Sequence, residues 1–347
     1  MKAGILYGPR DIKLGDVPDP SIGPEEVLVE CKAAGICGTD LHIFRGEFED
    51  RVQYPAILGH EFGGQVVEVG QDVSRFKPGD RIAVDPIISC HACPACLTGH
   101  INACQSLKLL GVDLDGGFGQ YVAAPASHSF HLPDSLQVNH APMVEMYALG
   151  HHILSRGKVQ PGETVAILGA GKLGLAILDV LCHSANPGIT IVTDLQPLRL
   201  EMASKLGADY AIDIQSTNPV EMVAEITRGS GVDCVIEAVG HYHLYKGQEP
   251  PLAQAVKMIR NGGRIVTAGL GEQKSEVFFK TLVLKEAQII ASRVTRGEFP
   301  RAIGMMSRGL LHPDLLITDV MPLEDITSAF DQVDREDPET IKVVLEI

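Results

Sequence analysis

Two groups of metal-binding residue types stand out in the sequence. Cys90, Cys93, Cys96 and Cys104 fall within 15 residues, with intervals of two, two and seven residues between them. Four thiolates on one short loop suffice to close a tetrahedral Zn²⁺ with no position left for water, so this site is expected to be structural. Left unligated, such a cluster would be a redox liability. The second group is dispersed: Cys37 in GICGTDLH, and His60 followed by Glu61 in GHEFGG. A thiolate, an imidazole and a carboxylate suit Zn²⁺, and three protein ligands leave a position open for a substrate oxygen, the arrangement of a catalytic metal. Taken singly, Cys37 reads equally as a small buried hydrophobe and His60 as a core histidine satisfied by Glu61.

A nucleotide motif accompanies them. Gly169-Ala-Gly171-Lys-Leu-Gly174 follows the apolar run TVAIL and opens a helical stretch, and Asp194 stands 20 residues beyond Gly174 at the end of the next strand-like run. Gly169 permits a tight turn, Gly171 lets backbone amides approach a pyrophosphate at the positive helix end, and Gly174 lets helix and strand pack closely. Asp194 can accept hydrogen bonds from ribose hydroxyls and would repel a 2′-phosphate, which favours NAD over NADP. Arg199 pulls the other way, since a guanidinium can meet a 2′-phosphate; with the acid present, NAD is the expectation.

These residues must be positioned by two kinds of element. Up to about residue 145 the chain reads as short strands broken by Gly and Pro, such as EEVLVECKAAG and GGQVVEVG, the pattern of a β-rich, barrel-like unit. From Glu163 to Ala291 apolar strands alternate with helical stretches, which implies a parallel sheet covered on both faces. The alternation stops after Arg293, and the closing run IKVVLEI can return to the first unit. The expected fold class is therefore α/β, with a discontinuous β-rich domain over 1–147 and 294–347, a metal lobe at about 88–106, and an inserted doubly wound nucleotide domain over 148–293. At 347 residues two domains are the natural reading.

Composition excludes several classes of function. A formal charge of −15 with no basic cluster argues against nucleic acid and anionic lipid as partners. No apolar run approaches the ~18 residues of a membrane span. The start, MKAGILYGPRDIKLGD, lacks a basic stretch followed by an apolar region, so no leader is expected and a cytoplasmic location is. In that compartment the eight cysteines are expected as ligands or buried thiols rather than disulfides.

The motifs GICGTDLH, GHEFGG, the four-cysteine loop, GGFGQYV, VQPGETVAILGAGKLG and TDLQPLRLEMASKLGAD together resemble the zinc-containing medium-chain dehydrogenase/reductase family, which includes alcohol, sorbitol and threonine dehydrogenases. The resemblance covers nearly the whole chain. It implies a GroES-like catalytic domain with an inserted Rossmann domain, two zinc ions per subunit (one catalytic, one structural) and NAD. It also implies that Cys37 and His60 are catalytic zinc ligands, with Glu61 a third ligand in the polyol and threonine branches but outside the metal shell in simple alcohol dehydrogenases. Glu145, in PMVEMYALGHH, matches a glutamate found near zinc in the polyol branch and is expected as a fourth or exchanging ligand, although Met146 replaces the usual proline after it. Thr39 and His42 match a proton relay; read from the residues alone, Thr39 is equally a capping residue and His42 a surface histidine. Leu173, Asp194 and Arg199 match positions lining the adenosine half of NAD, and Ala268, Gly269, Leu270, Ser292 and Arg293 those beside the nicotinamide.

Arg293, in SRVTRGEFP, stands where family members shape the substrate pocket, and a guanidinium there suits the hydroxyls or carboxylate of a polyol, sugar or sugar acid. The expected reaction is hydride transfer between NAD and a secondary alcohol of such a small molecule. The enzymatic alternative is L-threonine or amino-alcohol 3-oxidation, and the non-enzymatic one a nucleotide-binding regulator on a reused fold. Family habit implies a homotetramer or homodimer. The segment HYHLYKGQEPP (241–251) is longer than usual and reads as a flap, a subunit contact or a plain surface insertion.

Overall fold

The computed structural model of the chain describes residues 1–47, 51–240, 249–271 and 274–347; most of the HYHLYKGQEPP segment lies outside them. The chain divides into two compact units, Met1–Ala148 with Val294–Ile347, and Leu149–Arg293.

The first unit is built around the strand Glu26–Gly35, EVLVECKAAG, in which Val27, Val29, Cys31 and Ala33 are buried and the residues between them are partly exposed up to Lys32. That period of two is what a strand with one face on a core produces. One edge of this strand pairs antiparallel with Glu61–Val69. Its other edge is shared: residues 26–30 pair with Tyr121–Pro125 and residues 33–35 with the last strand, Lys342–Glu346. The spatial order is Ser129–His131, Arg81–Val84, Glu61–Val69, Glu26–Gly35, Lys342–Glu346, Ile317–Pro322, all neighbours antiparallel except the final, parallel pair. A smaller sheet places Lys2–Gly8 between Asp11–Asp16 and Ala56–Ile57. Val29, Phe62, Val66, Phe118 and Phe330 belong to the apolar core that these strands enclose.

The second unit holds six parallel strands in the order Tyr210–Asp213, Ile189–Asp194, Thr164–Leu168, Val232–Glu237, Ile259–Thr267, Gln288–Ala291. In chain order this is 3-2-1-4-5-6, a doubly wound Rossmann sheet whose direction of winding reverses beside Thr164–Leu168. Its central strands, TVAIL and VDCVIE, are almost continuously buried, as strands covered on both faces must be. Helices start where the chain supplies a start signal: Pro197, Pro219 and Pro251 each open one, and the Asn218 side chain accepts from the backbone N–H groups of Val220 and Glu221. Among the described residues, no helix is long and apolar enough to cross a membrane.

Candidate active site

Cys37 precedes the short helix Gly38–Phe44 in extended backbone, and its N–H donates to Asp40 Oδ2 at 2.7 Å. His60 stands immediately before the strand Glu61–Val69, and Glu61 begins it, directly opposite Gly35. Ligand atoms of Cys37, His60 and Glu61 all lie within 4.8 Å of one another. His60 and Glu61 are buried and Cys37 half-buried.

Polar groups buried this deeply are ordinarily hydrogen-bonded. Here Asp40 Oδ1, His60 Nδ1 and Glu61 Oε1 have no hydrogen-bond partner among the described residues. Asp40 Oδ1 and His60 Nδ1 face each other at 3.6 Å, so a proton on Nδ1 points at a carboxylate and leaves Nε2 as the donor to a metal, the usual support for a metal-bound histidine. A cation would satisfy the orphaned Glu61 oxygen. Thiolate, imidazole and carboxylate in this spacing fit Zn²⁺. Burial disfavours the imidazolium of His60, but the negative Cys37 and Asp40 outweigh it and hold its pKa well above the ordinary histidine value.

Glu145, buried on the helix Met143–Gly157, is not one of the three residues within mutual ligand reach. It feels them nonetheless. Burial and the neighbouring Glu61 push its pKa up to about 7, against the pull of His60. Thr39 and His42 are three residues apart on the helix Gly38–Phe44, which puts them on one face. Thr39 is half-buried, and a His42 ring nitrogen, Nδ1, bonds the carboxylate of exposed Glu47.

The four-cysteine loop forms a second cluster, with all four sulfurs within 4.8 Å of one another. The backbone folds around the sulfurs: the N–H of Cys93 points at Cys90 Sγ and that of Cys90 at Cys104 Sγ, both at 3.3 Å. The N–H groups of Gln105 and Cys96 lower the Cys93 pKa to about 6, whereas burial, with Cys93 and Cys104 beside it, raises that of Cys96 to about 12. All four donors fit Zn²⁺, and none of its positions would remain for substrate.

In the second unit, Gly169 has φ of +93°, and a Cβ on Gly174 would stand 1.9 Å from the Gly169 carbonyl oxygen. The turn and the close approach of helix Lys172–Ser184 therefore require both glycines. Gly171 is the N-cap of that helix, and half-buried Leu173 lies in its first turn. Asp194 ends its strand with its carboxylate held by three backbone N–H groups, those of Ala170 at 2.7 Å and of Leu195 and Gln196 at 2.8 Å. Arg199 Nη1 lies 3.8 Å from Asp194 Oδ1. Ala268 and Gly269 donate to the Glu237 carbonyl, while Leu270 is exposed. Ser292 donates its N–H to Thr267 and Arg293 is exposed.

Three residues of this neighbourhood escaped the sequence reading in whole or part. Asp40 accepts the Cys37 N–H with one oxygen, and its second oxygen faces His60. Lys342, wholly buried, pairs with Glu61 Oε2. The signal was a lysine in the otherwise apolar run of the last strand. Asp85 is buried beneath the Thr295 hydroxyl, 3.4 Å away.

Comparison with known proteins agrees with this geometry. Residues 23–134 match the alcohol dehydrogenase GroES-like domain and residues 173–308 the zinc-binding dehydrogenase family. The chain is 35% identical to sorbitol dehydrogenase of Bacillus subtilis (strain 168), over 99% of this chain and 97% of that protein. It is also 35% identical to L-threonine 3-dehydrogenase of Symbiobacterium thermophilum, over 92% of this chain and 90% of that one. Among solved structures, the rspB alcohol dehydrogenase of Escherichia coli CFT073 with NADH superposes at a TM-score of 0.92, with 34% identity, covering 100% of this chain and 99% of the other.

Proposed function

The chain belongs to the zinc-type medium-chain dehydrogenases, and from that premise we propose that it oxidises a secondary alcohol of a polyol, sugar or sugar acid to the ketone, reversibly and with NAD. The observation that carries this reading is the cluster of Cys37, His60 and Glu61 with an orphaned carboxylate oxygen, a three-donor set that suits a zinc ion with a position left for substrate. The likeness to sorbitol dehydrogenase supports the polyol class. When bound, zinc supplies a Lewis acid for the alcohol oxygen and NAD the hydride acceptor.

The chain's own residues do the rest. Cys37, His60 and Glu61 would hold the metal, and Asp40 orients His60. Glu145, close enough to feel their charge, would serve as a fourth or exchanging ligand. Thr39 takes the alcohol proton and His42, one helical turn further, passes it to Glu47 at the surface. The N-terminal turn of helix Lys172–Ser184, with Gly169, Gly171, Leu173 and Gly174, receives the pyrophosphate. Asp194 receives the adenosine ribose. Arg199 is already drawn to Asp194, so it is a poor receptor for a 2′-phosphate, and NAD is preferred to NADP. Ala268, Gly269, Leu270 and Ser292 flank the nicotinamide, and Arg293 binds substrate hydroxyls or carboxylate. Cys90, Cys93, Cys96 and Cys104 hold the structural zinc.

Self-association is part of the reading. The last strand of the parallel sheet, Gln288–Ala291, has one strand neighbour among the described residues, and Phe278, Phe279, Val283 and Leu284 nearby in sequence are 71, 70, 68 and 72% exposed. An open edge beside so much exposed apolar surface suits a second copy.

A screen of NADH formation against polyols, aldonates and amino alcohols, with and without a chelator, tests the function. Polyols or aldonates should be turned over, and chelation should abolish it. A preference for L-threonine, or activity that survives zinc removal, would overturn the proposal.

A further inference from the structure

The pair formed by Glu61 and Lys342 is buried to 1% and 0% exposure. Burying an ion pair seldom adds stability over apolar side chains of similar size, so its presence calls for another reason. Three strands build it. Gly35, at the end of Glu26–Gly35, pairs with Glu61 on one side and with Val344 of the last strand on the other. The Glu61 carboxylate and the Lys342 ammonium meet over the bare backbone of Gly35. A Cβ there would stand 2.6 Å from Glu61 Oε2, 2.7 Å from Lys342 Cε and 2.8 Å from Nζ. Lys342 Nζ also donates to the Ile36 carbonyl at 3.1 Å, which ties the ammonium to the backbone one residue before Cys37. The two oxygens of Glu61 are thus unlike: Oε2 is held by Lys342, while Oε1 is buried without a hydrogen bond among the described residues, in the side chain that shares a cluster with Cys37 and His60.

We infer that Lys342 is a positioning residue that competes with the metal for Glu61, restricting this carboxylate to one oxygen and keeping it exchangeable. The inference rests on Cys37, His60 and Glu61 being the catalytic metal site. A thiolate and a carboxylate together cancel the charge of a divalent cation, which would blunt it as a Lewis acid; the Lys342 ammonium restores one positive charge. Restricting Glu61 also leaves room for substrate at the metal.

This competition gives removal of Lys342 a distinctive sign. A lysine that merely braced the sheet would, when lost, loosen the site and speed metal release. A lysine that restrains Glu61 would, when lost, release the whole carboxylate to the metal and slow it.

The test measures the rate of cobalt release to a chelator from the cobalt-loaded protein, the visible cobalt spectrum, and kcat and KM separately. It compares the parent, Lys342→Met, Lys342→Arg, Glu61→Gln and the double variant Lys342→Met/Glu61→Gln. Lys342→Met should release the catalytic-site metal on the order of tenfold more slowly, with a spectrum altered towards higher coordination and a kcat lowered on the order of tenfold. Lys342→Arg should behave like the parent. The double variant should release metal no more slowly than Glu61→Gln, because the slowing acts through Glu61. Release that is faster or unchanged in Lys342→Met overturns the inference. Should Lys342→Met fail to fold, the double variant, which leaves no unpaired buried charge, and Lys342→Arg decide it: a double variant slower than Glu61→Gln, or a Lys342→Arg protein with altered release, overturns it. A parent that binds a single metal per chain, held by the four cysteines, overturns the site reading and this inference with it.

Discussion

The two metal clusters of this chain are made in opposite ways. Cys90, Cys93, Cys96 and Cys104 come from one stretch of 15 residues, and backbone N–H groups of that same loop point at the sulfurs. Cys37, His60 and Glu61 come from a helix entrance and a strand start, with Asp40 and Lys342 completing their surroundings from a helix and the last strand. The first closes a metal with four like donors. The second offers three unlike donors, two of them buried, with a carboxylate of which one oxygen is held by Lys342 and the other is unpartnered among the described residues. A local, self-sufficient loop suits a structural role, and a site assembled from distant segments of the first unit can hold a metal with a place left for chemistry.

Replacing one donor in each cluster should separate the two roles. His60→Ala should lower kcat/KM by at least about a thousandfold, the several kcal/mol that a Lewis acid contributes, with little change in thermal unfolding. Cys96→Ser should do the reverse: one metal lost per chain and stability reduced by about several kcal/mol, with turnover per folded molecule largely kept. Metal analysis, unfolding curves and steady-state kinetics on the pair check both. A His60→Ala protein that unfolds early, or a Cys96→Ser protein that is stable but inactive, would merge the two clusters into one role.

Asp85, five residues before the first of the four cysteines, sharpens the contrast through pH. Burial pushes its pKa up to about 7, although the Ile87 N–H and the Thr295 hydroxyl favour the charged form. In the unfolded chain it ionises near its ordinary value of 3.8. Between these values the folded state keeps a proton that the unfolded state has lost. Its presence therefore costs stability progressively as pH rises from about 4 to about 7, and fully above that. Asp85→Asn should stabilise the protein by on the order of 3 kcal/mol at pH 8 and by little at pH 4, read from chemical unfolding at the two values. An equal effect at both would mean that burial does not shift Asp85. The smallest effect is expected in the second unit: Asp194→Ser should narrow the preference for NAD over NADP by about tenfold, measured as the ratio of kcat/KM for the two.

Legibility in the sequence followed the same division. The four cysteines and the Gly169 to Gly174 turn are local patterns, and each lies in the structure as its spacing implies. The parallel sheet was visible because buried strands and helices alternate along the chain. Cys37, His60 and Glu61 were legible as residue types, but their meeting depends on strand pairing and could be inferred only from motifs. The Lys342 contact was out of reach, because its partner lies 281 residues away and a single lysine in an apolar strand does not announce what it faces. Glu145 shows the remaining ambiguity: its charge is felt by the cluster while its carboxyl lies outside the group of three, which a residue pattern does not resolve.

Metal content and turnover measured together, on the parent and on Cys37→Ala, address the central claim most directly. The parent should bind two zinc ions per chain and form NADH from a polyol or aldonate; Cys37→Ala should keep one zinc, remain folded and lose turnover. A Cys37→Ala protein that retained two zinc ions and full turnover would contradict the assignment of the catalytic site.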